Sequence, residues 1–233
     1  MIASHASYQP PRDCGLDIVY CDKSLLVANK PAGLLSVPGR GLEKSDNLTT
    51  RIQKEYPDAR SVHRLDMSTS GLLVFARGAD MHQRLSCLFS ERAVMKSYIA
   101  IVAGRVVTHS GEVDMPLASD WPNRPKQKVD FAAGKSSLTR YRLLAHTESP
   151  YQPSIRPGKQ VLDASRVELE PVTGRTHQLR VHMAAIGHPV LGDGLYGGNT
   201  GSGATRLLLH ARKLSFIHPL RPELLTLTAE PPF

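Results

Sequence analysis

Ser61-Val62-His63-Arg64-Leu65-Asp66-Met67-Ser68-Thr69-Ser70-Gly71 sets a carboxylate between two bases and a run of small residues. Val62 and Leu65 are apolar, and Leu72-Leu73-Val74-Phe75-Ala76 resumes an apolar run. The polar residues between them therefore read as a loop held by two buried segments, which is where chemistry tends to sit. From the residues alone two readings stand. Asp66 with Ser68 and Thr69 forms a turn whose side chains bond the local backbone, or Asp66 is a nucleophile.

The 233 residues suffice for one large domain or two small ones with a core that needs neither disulfide nor metal. Twenty-nine Lys and Arg against 21 Asp and Glu leave a net charge of +8, which favours a polyanionic partner. Cys14, Cys21 and Cys87 form no Cys-x-x-Cys pair, so neither a disulfide framework nor a zinc site is expected, and the compartment reads as a reducing cytoplasm. Residues 1–15 read as an irregular tail without an apolar signal core. No run approaches the roughly 18 apolar residues of a membrane span, so no membrane association is expected.

Upstream of the central stretch, Asp17–Tyr20 and Leu25–Asn29 read as a hairpin turning at Asp22-Lys23, and Lys30-Pro31-Ala32-Gly33 leaves the sheet. Leu48, Ile52 and Tyr56 fall at helical spacing before Pro57, with Arg51 and Lys54 on the solvent side. Downstream, Gly71–Arg77 reads as a buried strand. Ala79–Arg92 reads as a helix with Met81, Leu85, Leu88 and Phe89 inward, and Val94–Val102 as a strand carrying Lys96 and Tyr98.

Asp120–Lys128 holds the chain's one Trp among prolines and bases and reads as an exposed loop. Trp121 either stacks on nucleic-acid bases or anchors the loop to the core. Leu138–Thr147 and Val161–Glu170 read as paired strands joined by a linker over 149–158. A helix is predicted over Thr173–Gly187, opened by Thr173 and stopped by Gly187, with Arg180 on the flank away from the apolar stripe. Gly192-Asp193-Gly194-Leu195-Tyr196-Gly197 spells Gly-x-Gly-x-x-Gly, but no helix follows it, so it reads as a flexible loop and no nucleotide cofactor is expected. Arg206–Ile217 and Leu224–Thr228 close the chain as strands.

His63-Arg64-Leu65-Asp66-x-x-Thr69-Ser70-Gly71 resembles the signature of the RluA-type pseudouridine synthases, which isomerise uridines in RNA. Asn29–Gly39, Lys96-x-Tyr98, Asp120–Val129, Thr173–His182 and Leu207–Ala211 resemble further segments of that family, in the family's order. The resemblance is strongest with its dual-specificity branch, which acts on both 23S rRNA and tRNA. It implies an α+β fold, with a mixed, mainly antiparallel sheet in two half-domains flanked by helices and a catalytic cleft between them. On this reading residues 16–233 are the catalytic domain, without the S4 RNA-binding domain of many relatives. It implies that Asp66 attacks the target uridine, Tyr98 borders the flipped base and Arg180 pairs with Asp66. Arg64 would fill the place of the extruded base, with His63, Trp121, Arg124, Lys126 and Lys128 completing the RNA contacts. The implied partners are stem-loops of 23S rRNA and tRNA, met by a monomer without cofactor or metal.

Two other function classes fit the residues less well. A non-catalytic RNA-binding module explains the charge but has no use for Asp66 and Arg180. A hydrolase would need a Gly-x-Ser-x-Gly elbow or a His-Glu-x-x-His helix, and neither occurs; His177 and His182 are five apart rather than four.

Overall fold

The computed structural model describes residues 8–148, 163–198 and 204–233. Residues 1–7 of the tail, the linker over 149–158 and the glycine-rich run 199–203 lie outside the described residues. In chain order the elements begin β1 (Ile18–Cys21), β2 (Leu25–Lys30), α1 (Leu48–Glu55), β3 (Ala59–Ser61), β4 (Ser70–Arg77), α2 (Ala79–Ser90) and β5 (Met95–Ala103). They continue with β6 (Ser110–Asp114), β7 (Leu117–Ser119), β8 (Gln127–Val129), β9 (Leu138–Glu148), β10 (Asp163–Pro171), α3 (Gln178–Ala185), β11 (Leu209–Ile217) and β12 (Leu224–Thr228). The class is α+β. The chain divides into two compact units: Met1–Val94 with Ser215–Ala229, and Met95–Leu214 with Glu230–Phe233.

In the first unit β2 pairs antiparallel with β1 on one side and with β4 on the other, Leu25 facing Ala76 and Lys30 facing Gly71. β3 also lies antiparallel to β4, and β4 is buried from Ser70 to Ala76, as its continuous apolar run requires. The β1–β2 turn is closed by Asp22, whose Oδ1 accepts the N–H groups of Ser24 and Leu25. Its Oδ2 meets the Tyr20 hydroxyl, His218 Nε2 and Arg221 Nη2 at 2.8, 3.1 and 2.8 Å. Partial burial raises this carboxyl's pKa, but those backbone and hydroxyl donors outweigh it and hold the pKa far below the ordinary range.

α1 starts at a capping box. Asn47 Oδ1 accepts from Thr50 N–H, and Thr50 Oγ1 accepts from Asn47 N–H. Arg51 corrects the expectation of a solvated face: it is only 6 % exposed. Its guanidinium donates twice to Asp46 at 2.8 Å and once to the carbonyl of Pro11, so the charge goes inside with its partners.

In the second unit β5, β10, β9 and β6 pair antiparallel in that order, with Tyr98 opposite Leu169 and a bulge in β9 at Leu144, facing Arg166 and Val167 of β10. A core of Ala100, Val102, Val167, Leu169, Leu179 and Met183 joins this sheet to α3. β7 and β8 form a separate two-stranded ribbon, so the 120–128 segment is a hairpin tip with a 3₁₀ turn at Trp121–Asn123 and not wholly irregular.

α3 begins at Gln178, five residues after the predicted start. Thr173 does not cap it; its hydroxyl donates to the Gln178 side-chain oxygen, and the helix opens at His177 in a left-handed conformation, φ 54°. Gly187, at φ 85°, ends the turn as expected. The helix is not amphipathic, since every residue from Gln178 to Met183 is buried. Its polar groups are therefore paired in series. Gln178 Nε2 donates to Thr139 Oγ1, Thr139 lies 2.9 Å from His182 Nδ1, and His182 Nε2 lies 3.0 Å from the Met115 carbonyl.

Candidate active site

Asp66 sits half-buried in the loop between β3 and β4, and the backbone on either side of it is clamped by buried groups of the first unit. Ser36 grips Leu65 at both ends: its hydroxyl donates to the Leu65 carbonyl at 2.7 Å and accepts the Leu65 N–H at 3.0 Å. Lys30 is fully buried. Its ammonium donates to the carbonyls of Pro31 (2.9 Å), Leu34 (2.7 Å) and Met67 (3.1 Å). Asp66's own carbonyl accepts from Thr69 N–H at 3.1 Å, so the chain turns here through a backbone bond. The backbone that carries this carboxylate is thus fixed on both sides, which positioned chemistry requires.

His63 and Arg64 flank this loop differently. His63 is half-buried, accepts the Val74 N–H at its Nε2 (3.0 Å) and stacks on Phe89 with ring centroids 4.3 Å apart. Arg64 is exposed.

In the second unit Tyr98 is half-buried on β5 and packs against the core below it. Arg180, 4 % exposed, occupies the third position of α3. Its Nε and Nη2 donate to the two oxygens of Asp193 at 2.7 and 2.8 Å. Asp193 also accepts the N–H groups of Leu195 and Tyr196. Burial pushes the Asp193 carboxyl's pKa up, but Arg180 and these two N–H groups more than reverse it, leaving it below the usual value. A solvated basic flank is thereby excluded for Arg180. Gly192–Gly197 is a tight turn around a buried carboxylate, not the flexible loop expected of it.

Trp121 is 66 % exposed, which removes the reading in which it anchors the loop to the core. Arg124 lies over its ring, Cζ 3.3 Å from the centroid, so the two form one flat cationic surface. Lys128 is exposed and pairs with Asp130 at 3.1 Å, while Lys126 is half-buried beside them.

Lys30, Ser36, Asp193 and Tyr196 were given no role from the sequence. Lys30 carried little signal: it falls two residues after Ala28, on a buried face of β2, but a lysine is almost never fully buried unless it is paired. Among the described residues no cluster of three or more His, Cys, Asp or Glu could hold a metal, and no helix is long and apolar enough to cross a membrane.

The model of the RNA pseudouridylate synthase family matches residues 24–185, which include Asp66, Tyr98 and Arg180. The chain belongs to the RNA pseudouridylate synthase family. It is a pseudouridine synthase, an isomerase, and not a non-catalytic module. The chain is 47% identical over 213 residues to the dual-specificity RNA pseudouridine synthase RluA of Vibrio cholerae, covering 91% of this chain and 81% of that one. It is 45% identical to the RluA of Escherichia coli K12 over 97% and 98% of the two chains. Among solved structures it resembles human RNA pseudouridylate synthase domain containing 1, with a TM-score of 0.78 and 30% identity over 97% of this chain and 87% of that one. The pseudouridine synthase fold of this protein is thus established together with its α+β class.

Proposed function

We propose that this synthase converts uridine to pseudouridine in stem-loops of two RNA classes, 23S rRNA and the tRNA anticodon arm, with Asp66 as nucleophile. In the isomerisation the N1–C1′ bond breaks and a C5–C1′ bond forms on the same ribose. The proton leaves C5 and N1 gains one, so no redox partner or energy source is consumed. The observation that carries the assignment of Asp66 is its clamped loop, held by Lys30 below Met67 and by Ser36 at Leu65. The two-class substrate range is supported by the dual-specificity name of relatives 45–47% identical over most of the chain.

On this reading Tyr98 borders the detached base, and Arg180 serves the carboxylate as a fixed guanidinium, whose hydrogen bonds favour a charged acid. A stacked base must be extruded at a cost of a few kcal/mol. Exposed Arg64 fills the gap with its planar cation, beside the flat ring of His63. Trp121, Arg124, Lys126 and Lys128 grip the flanking strand, and the enzyme works as a monomer in the cytoplasm, alongside its RNA.

Purified protein should modify isolated hairpins copied from both RNAs, Arg64→Ala should slow both, and Asp66→Asn should reduce turnover more than a hundredfold with folding intact. Turnover of Asp66→Asn within tenfold of the parent would remove the nucleophile assignment. A hairpin that stays unmodified while its full-length RNA reacts would show that recognition extends past the loop.

A further inference from the structure

The Gly192–Gly197 turn imitates a dinucleotide fingerprint in sequence, and in the folded second unit it does something else. We propose that Tyr196 is a positioning residue whose hydroxyl ties the RNA-facing hairpin tip at 120–128 to the helix that carries Arg180. The inference rests on the reading that this tip touches RNA.

The geometry places the phenol oxygen at a junction. It accepts the backbone N–H of Gln127 at 2.7 Å, where the chain returns from the tip into β8. It also lies 2.7 Å from Nδ1 of His177, the residue on which α3 opens. A phenol has one proton and two lone pairs, so it can accept from Gln127 and still donate to the imidazole nitrogen. The ring has a second use: Arg180 Cζ stands 5.1 Å from its centroid, and the His177 ring meets it edge-on at 5.6 Å.

What places Tyr196 there is the buried carboxylate three residues earlier. Asp193 Oδ1 accepts the Leu195 and Tyr196 N–H groups and one N–H of Arg180, while Oδ2 accepts the other. One acidic side chain thus fixes both the guanidinium and the backbone that aims the phenol. Gly192 permits the tight approach. Its φ is +75°, and a Cβ on it would stand 1.8 Å from the Arg206 carbonyl oxygen. Because Trp121 and Arg124 stack together on the same tip, a shift of that tip on RNA contact reaches Gln127, and through one oxygen atom the start of α3.

Tyr196→Phe tests this, since it keeps the ring and deletes only the oxygen. Three quantities are measured against the parent: Kd for a uridine stem-loop, the single-turnover rate at saturating enzyme, and acrylamide quenching of Trp121, the chain's one tryptophan, without RNA. Quenching should increase and Kd should rise about five- to tenfold, a single hydrogen bond's worth, with a smaller loss in the saturated rate. Unchanged quenching together with unchanged Kd would overturn the proposal, and so would a fall in saturated rate at constant Kd, which would put the hydroxyl in the chemical step. If the parent makes no pseudouridine in the stem-loop, the substrate reading fails. The quenching arm, recorded without RNA, still decides whether the hydroxyl holds the tip.

Discussion

The Lys30 ammonium, wholly buried, donates to the carbonyl oxygen of Met67, the residue that follows Asp66 in the chain. A lysine enters the interior this way only when its three protons have acceptors, and here the Pro31, Leu34 and Met67 carbonyls provide them.

Lys30→Met keeps the length of the side chain and removes the donors. The Met67 carbonyl retains the Gly33 N–H, but the Pro31 and Leu34 oxygens lose the ammonium. At about 1–3 kcal/mol per stranded acceptor we expect a loss of about 2 kcal/mol or more. Tm should fall by about 4–8 °C, at about 2–4 °C per kcal/mol for a chain of this size. Turnover should fall further than RNA affinity, because the loop that aims Asp66 loosens. A variant with the parent's melting curve and rate would show that the clamp is dispensable.

Asp193→Asn takes the charge out of the buried Arg180–Asp193 pair, which costs about 3–5 kcal/mol in urea unfolding. The pH response has a defined sign. Asp193 is held below its ordinary value in the folded protein, so the pair's contribution is complete above the unfolded carboxyl's pKa, about 3.9, and is lost as pH falls through the lower folded value. The parent should therefore lose stability on acidification more steeply than Asp193→Asn. Equal acid sensitivity of the two proteins would show that the ion pair is not what the folded state protects.

His182 titrates in the opposite sense. Burial lowers its pKa more than the Met115 carbonyl and Asp114 raise it, so the folded protein holds it neutral below the ordinary imidazole value. The unfolded chain binds that proton near pH 6.5, so the contribution is complete above this pH and declines as pH falls below it. Because a carbonyl can only accept, the ring proton belongs on Nε2, toward Met115, with Nδ1 accepting from the Thr139 hydroxyl. At pH 6.5, where an unperturbed imidazole is half protonated, nitrogen chemical shifts should report a ring that is mostly the neutral Nε2–H form. A half-protonated ring there would contradict the pairing.

The sequence allowed the strands to be read where one cause dominates. The apolar run of β4 and the residues of β1, β2, β9, β10 and β12 could be found because burial on a pleated sheet leaves a plain pattern. It was less legible where side chains distant in sequence decide. Arg51 looks like a surface base until Asp46 and the Pro11 carbonyl are beside it, and Thr173 looks like a helix cap until Gln178 takes its hydroxyl. α3 was legible from its apolar stripe and its glycine stop, but the burial of Gln178, Arg180 and His182 on its other faces was not, since polar side chains read as solvated until their partners are beside them. Asp66, Tyr98 and Arg180 were reached through resemblance, not through any local pattern. Asp193 and Tyr196 were missed because a glycine-rich turn reads as slack, when a carboxylate inside it bonds four N–H groups.

Asp22 closes the first hairpin with help from His218 and Arg221, residues almost two hundred positions later. The first unit needs Ser215–Ala229 as well as Met1–Val94, and residues 95–214 are made in between. At about 5–20 residues per second those 120 residues take the ribosome about 6–24 s. For that interval the nascent β1–β2 turn carries an acidic group whose partners His218 and Arg221 do not yet exist. The unit that bears Asp66 is therefore completed only after residues 95–214, Arg180 among them, have been synthesised, and a ribosome stalled within residues 95–214 leaves an Asp66 loop on an unfinished scaffold.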